Sequence, residues 1–128
     1  LNREYLLKMD ADGLDGYARM LGIPTRGAKT AEAKVRLIEE RRARRARINV
    51  LGVDVEVPVK RYHDRDVVER YNAATTDEDY AALVVELLGD EQWSEVVRAA
   101  TDEDGHVDQE ALNWAMVQVV TDKELKNF

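Results

Sequence analysis

The chain of 128 residues contains no cysteine. Disulfide stapling, thiolate chemistry and cysteine-ligated metal are therefore excluded. Serine occurs once, as Ser94 beside Trp93, with neither a glycine elbow nor a nearby histidine, so no serine nucleophile is set up. There is no glycine-rich loop of the kind that cradles phosphate. No run approaches the roughly 18 apolar residues that a bilayer span requires. The first residues lack the basic, apolar and small-residue succession of a secretory leader. The expectation is a cytoplasmic protein that is not an enzyme, needs no cofactor or metal and engages no membrane. Its function is to be sought in surfaces.

The net charge of −7 is unevenly spread. Residues 1–65 hold 15 Lys and Arg against 10 Asp and Glu, a net of +5, and residues 66–128 hold 4 against 16, a net of −12. Such a split suggests two modules or two oppositely charged faces, and any nucleic-acid binding would be confined to the first half.

Hydrophobic periodicity predicts a mainly α fold. Short helices are expected over 2–9 and 14–21, with Asp10-Ala-Asp12-Gly13 breaking the chain between them. Gly22 ends the second, and Pro24 keeps Ile23 extended. After a loop, Thr30 caps a helix from Ala31 to about Arg47. Alternation of Val53, Val55, Val57 and Val59 with polar residues, and of Ile48 and Val50 around Asn49, predicts a β-hairpin over about 48–60. Leu51 disfavours a positive φ, so a turn longer than two residues is expected, and Pro58 argues for an edge strand. About four helices follow: one capped by Asp64, one over 77–88 behind a Thr75–Glu78 capping box, one over 91–100, and one capped by Asp108. Tyr80, Leu83, Val84, Leu87 and Leu88 lie on one helical face. Gly89 is positioned to stop that helix in the left-handed conformation, and Asp90 to cap the next. The domains are thus 1–47, basic, and 48–128, a hairpin with an acidic helical domain.

Several clusters permit two readings. Lys29, Lys34, Arg41, Arg44 and Arg45 have the composition of a phosphate-binding ridge. The Glu32–Arg36 and Glu40–Arg44 pairs, and the lack of interleaved aromatics, favour a solvated helix face. Asp102, Asp104, Gly105 and Asp108 imitate a calcium loop, but its first and twelfth places are Ala100 and Ala111, which favours a capped acidic turn. His63 lies among Asp54, Asp64 and Asp66, yet one histidine gives no spaced ligand set. Trp93 and Trp114 fit one cluster between the last two helices with Leu88 and Met116, as core or as an interface hot spot.

Two resemblances add to this reading. Leu14 to Ile38, with Leu21-Gly22-Ile23-Pro24-Thr25-Arg26-Gly27-Ala28-Lys29 at its centre, resembles a SAP or helix–extended loop–helix module, a family in which many members bind DNA. From Ile48 onward the order of parts is similar to tail assembly chaperones of long-tailed bacteriophages and prophages. The similarity rests on the hairpin with its Val57-Pro58-Val59 step and on Leu87-Leu88-Gly89-Asp90-Glu91-Gln92-Trp93. That resemblance implies viral tail assembly in the bacterial cytoplasm, with the tape measure protein or another tail protein as partner. Leu88, Trp93, Trp114 and Met116 would line or support the groove, and copies would associate through the hairpin's open edge. The rival expectation is a DNA-binding accessory protein acting through the five basic residues.

Overall fold

Asn2, Asp10 and Thr30 each turn a side-chain oxygen onto a backbone N–H two or three residues ahead. Each thereby satisfies a donor that a helix start leaves open. The helices are α1 (Arg3–Lys8), α2 (Ala11–Met20) and α3 (Ala31–Arg42). The structure, a computed structural model, describes residues 1–126; the last two positions of the expected second domain, 127 and 128, lie outside them. Asp10-Ala-Asp12-Gly13 is a helix start and not a break, because the Asp10 carboxylate accepts from the Gly13 N–H at 2.7 Å. At the far end of α2, the Gly22 N–H donates to Arg19 at 3.0 Å and the Ile23 N–H to Ala18 at 2.8 Å. This paired closure needs Gly22 at φ 73°. Leu6, Leu14, Ala18, Leu21, Val35 and Ile38 form the core of a first compact unit, Leu1–Arg44.

The helix expected to reach Arg47 ends at Arg42, and β1 (Arg45–Val50) begins soon after. Ala46, Ile48 and Val50 point inward and Arg45, Arg47 and Asn49 outward. This two-residue alternation outweighs the helix propensity of Ala and Arg once β2 (Val53–Pro58) supplies a partner. Val50 pairs with Val53, so the turn has only two residues, with Leu51 at φ 53° and Gly52 at φ 84°. The longer turn expected from Leu51 is not formed. Its left-handed backbone costs about 1 kcal/mol. The turn is held by the Asn49 carboxamide, which accepts from the Gly52 N–H at 3.1 Å and donates to Asp54 at 2.9 Å.

Beyond the hairpin lie α4 (Val59–Tyr62), α5 (Arg65–Ala73), α6 (Asp77–Ala99), α7 (Gln109–Val120) and α8 (Lys123–Lys126). The single turns α4 and α8 were not expected, and Val59 belongs to α4 and not to the strand. With the hairpin these helices make the second unit, Arg45–Lys126. Helix α6 packs on β2, and α7 and α8 on β1. The capping box before α6 is Thr76–Asp79, one residue later than expected. Within α6, Gly89 adopts φ 79° and ψ 161°, a positive-φ, non-helical conformation that differs from the left-handed helical one in its ψ, and the helix kinks where one helix was expected to end and the next to begin. The Glu86 carboxylate takes guanidinium groups from both Arg61 and Arg70, tying α4 and α5 to α6. Among the described residues no helix is long and apolar enough to cross a membrane.

Gly89 occupies backbone space open essentially to glycine alone, so Gly89→Ala should lower stability by about 1–3 kcal/mol. Gly16, inside α2 with open space at its Cβ position, should gain about 0.4–1 kcal/mol as Ala. Urea denaturation measures both. Asp79 accepts from the backbone of Thr75 and Thr76, which holds its carboxyl below the ordinary 3.8. Its contribution is full above that value and lost as pH falls through the lowered one. Asp79→Ala should therefore be less stable at neutral pH and show a shallower decline of urea midpoint in acid.

Candidate functional site

The segment from Leu87 to Trp93 divides its work residue by residue. Leu87 and Leu88 are buried, and Gly89 bends the chain. Gln92 then reaches β2: its carbonyl accepts from the Glu56 N–H at 2.8 Å, and its amide donates to the Glu56 carbonyl at 2.9 Å and to Leu88 at 2.8 Å. The side chain thus satisfies both outward backbone groups of Glu56, as a neighbouring strand would. Sequence periodicity gave no sign of this, because a side-chain amide bonding 36 residues away leaves no repeating pattern.

With Gln92 anchored, Trp93 is half-buried beside a groove of about 400 Å³. Ala81, Trp93, Leu112 and Met116 supply its apolar lining, with Asp77, Glu78 and Gln109 at its margin. Gln109, Leu112 and Met116 recur at i, i+3 and i+7 of α7, a stripe of about 10 Å along the helix. Of the four expected partner-binding residues, Trp93 and Met116 line this groove. Leu88 and Met116 are each only 5% exposed and belong to the core. Trp114 does not join them. It lies two residues from both Leu112 and Met116, about 200° round the helix, and stands 57% exposed near Val117 at 43%. Ala81, Leu112, Asp77 and Glu78 were not anticipated. Leu112 lies four residues before Met116, on the same face of the helix capped by Asp108, and that spacing is the signal that could have pointed to it.

The hairpin edges are partly occupied by side chains. Residues flanking a two-residue turn bond each other, so alternate residues from Asn49 and Asp54 face outward. On β2, Gln92 holds Glu56 and Pro58 has no N–H to offer. On β1, Glu124 accepts from the Arg47 N–H at 3.3 Å, and Gln118 donates to the Asn49 carbonyl at 3.2 Å and accepts from the Leu51 N–H at 3.3 Å. Association of copies through this edge would have to displace those side chains.

The five basic candidates do not form one ridge. Lys29 is exposed just before the cap of α3, whereas Arg41 and Arg44 lie at its far end, about 18 Å along the helix. Arg41 and Arg44 are half-buried around a trough with Ile23, Pro24, Leu37 and Glu40. Lys34 is 2.9 Å from Asp15 with its side chain 14% exposed, and this ammonium holds the Asp15 carboxyl below its ordinary value. Arg45 belongs to β1 in the second unit and lies 3.9 Å from Glu56.

The acidic loop before α7 is closed on itself. One Asp102 oxygen accepts from the Asp104 and His106 N–H groups at 2.9 and 3.0 Å, and Asp108 caps α7 through the Ala111 N–H. Nε2 of His63 lies 2.6 Å from the Leu125 carbonyl. A carbonyl only accepts, so that nitrogen carries the proton and joins α4 to α8. Among the described residues no cluster of His, Asp and Glu is arranged to hold a metal ion.

Trp114→Phe should remove most iodide-quenchable fluorescence and change stability by under about 0.5 kcal/mol. Met116→Ala should cost about 2–5 kcal/mol, because it empties core volume. Comparisons with protein families, curated proteins and solved structures found no match to this chain.

Proposed function

We propose that this chain is a non-enzymatic tail assembly chaperone that shelters helical stretches of a tape measure protein in the bacterial cytoplasm. The observation that carries the reading is the groove between α6 and α7, where Trp93 stays half-buried beside Ala81, Leu112 and Met116. A core tryptophan would be sealed, whereas one at the wall of an apolar groove suits helix-in-groove recognition. The resemblance of Leu87–Trp93 to the chaperone motif supports the same reading. Its residues bend α6 and anchor Gln92, and so set the groove wall. The surface also suits a protein that keeps a greasy client in solution. Residues 45–126 hold 9 Lys and Arg against 19 Asp and Glu, a net of −10.

Co-expression with the tape measure protein of the same genome tests the proposal. The client should become soluble and co-purify, and Leu112→Glu should weaken capture by at least about tenfold while the circular dichroism stays unchanged. A tape measure gene immediately downstream is also expected. Failure of co-purification, together with DNA affinity that falls steeply with salt and is lost in Arg41→Ala and Arg44→Ala, would favour the DNA-binding alternative.

A further inference from the structure

The groove's margin carries a charge that its interior does not need. Asp77 and Glu78 are exposed at the first turn of α6 and border the groove beside Ala81. Their neighbour Asp79 is committed to the capping box. The side chains of Asp77 and Glu78 make no hydrogen bond or ion pair among the described residues. Glu56, Glu69, Glu86 and Glu95 of the same unit hold arginine, and among the carboxylates that do not, Asp77 and Glu78 are the ones that border this groove. Two carboxylates without partners thus stand at one wall of an apolar trough, in a unit already at −10.

The rest of the lining says what class of occupant fits. The Gln109 amide already donates to Asn113 at 3.0 Å. No convergent set of donors and acceptors remains to orient a small polar molecule. The α7 wall of the groove, Gln109, Leu112 and Met116, covers about two helical turns, with Leu112 and Met116 its apolar members one turn apart, a spacing that suits the i and i+3 or i+4 anchors of a docking helix. Nucleic acid would be repelled by the carboxylates. A helix with Lys or Arg beside its apolar stripe would bury that stripe against Trp93, Leu112 and Met116 while its cations approach Asp77 and Glu78.

We infer that this groove selects basic amphipathic helices, and that Asp77 and Glu78 are its charge-reading residues. The inference rests on the groove being the client site and specifies which client segments enter it. Rim charges of this kind act on partner choice and association rate more than on the strength of the final contact.

The test uses the full chain carrying Trp114→Phe, which leaves Trp93 as the single tryptophan. Two short synthetic helices share one Leu and Ala stripe. One carries Lys beside it and the other Glu at the same places. The Lys helix should shift Trp93 emission and bind about tenfold tighter at low ionic strength, with the gap closing as salt screens the rim. Asp77→Asn combined with Glu78→Gln should weaken the Lys helix about fivefold and leave the Glu helix no weaker. Equal binding of the two helices, tighter binding of the Glu helix, binding of neither, or a preference that survives the double substitution overturns the inference. Tape measure capture that is indifferent to the double substitution would remove the charge selectivity and leave the chaperone reading standing. A Lys helix bound in Trp93's view without tape measure capture would do the reverse.

Discussion

Gln92 holds the second unit in register. Its carboxamide grips both backbone groups of Glu56 and the Leu88 carbonyl behind it. A helix running straight from Asp77 to Ala99 would not contain the bend that Gly89 provides. A hairpin of two strands is marginal alone in water. Here the inward valines and Ile48 give it an apolar face, and the Gln92 clamp fixes where β2 lies along α6. Helix α7 does the corresponding work on β1 through Gln118, and α8 through Glu124.

The two tryptophans are separated by this arrangement. Trp93 follows Gln92 directly and is carried to the groove wall, while Trp114 is turned to solvent by its place on α7. A single short motif thus contributes buried leucines, a bend, an edge clamp and a groove wall. Substitution at Gln92 would therefore act on Trp93 through the backbone without touching the groove.

Much of the architecture was legible because the signals were local. Gly22, Thr30 and Asp108 mark helix ends by their own conformational preferences, and the Val53–Val57 alternation marks a strand. The misjudged boundaries are those where two local rules compete. Arg45-Ala46-Arg47 has helix-forming composition, yet pairing with Val57 and Glu56 places it in a strand. Thr75 and Thr76 each have an acid three residues on, and the shorter Asp79 wins because it reaches back to two backbone N–H groups. Asp10 reads as a breaker or as a cap, depending on whether Gly13 offers it a donor. In the groove, Trp93 and Met116 were within reach of pattern reasoning. Trp114 was not, because α7 carries apolar residues on several sides, Trp114 and Val117 besides Leu112, Ala115 and Met116, and hydrophobicity alone does not say which side the solvent takes. Lys34 was grouped with the arginines because its Asp15 partner comes from a different helix.

The occupied flanks of the hairpin have a consequence for how this protein behaves at high concentration. Fibrils grow when an uncovered strand templates the next one, chain after chain. Gln92 and Pro58 on one side, and Gln118 and Glu124 on the other, leave no continuous ladder for a newcomer to extend. At high concentration the hairpin is in this way kept from becoming a seed for strand-by-strand growth.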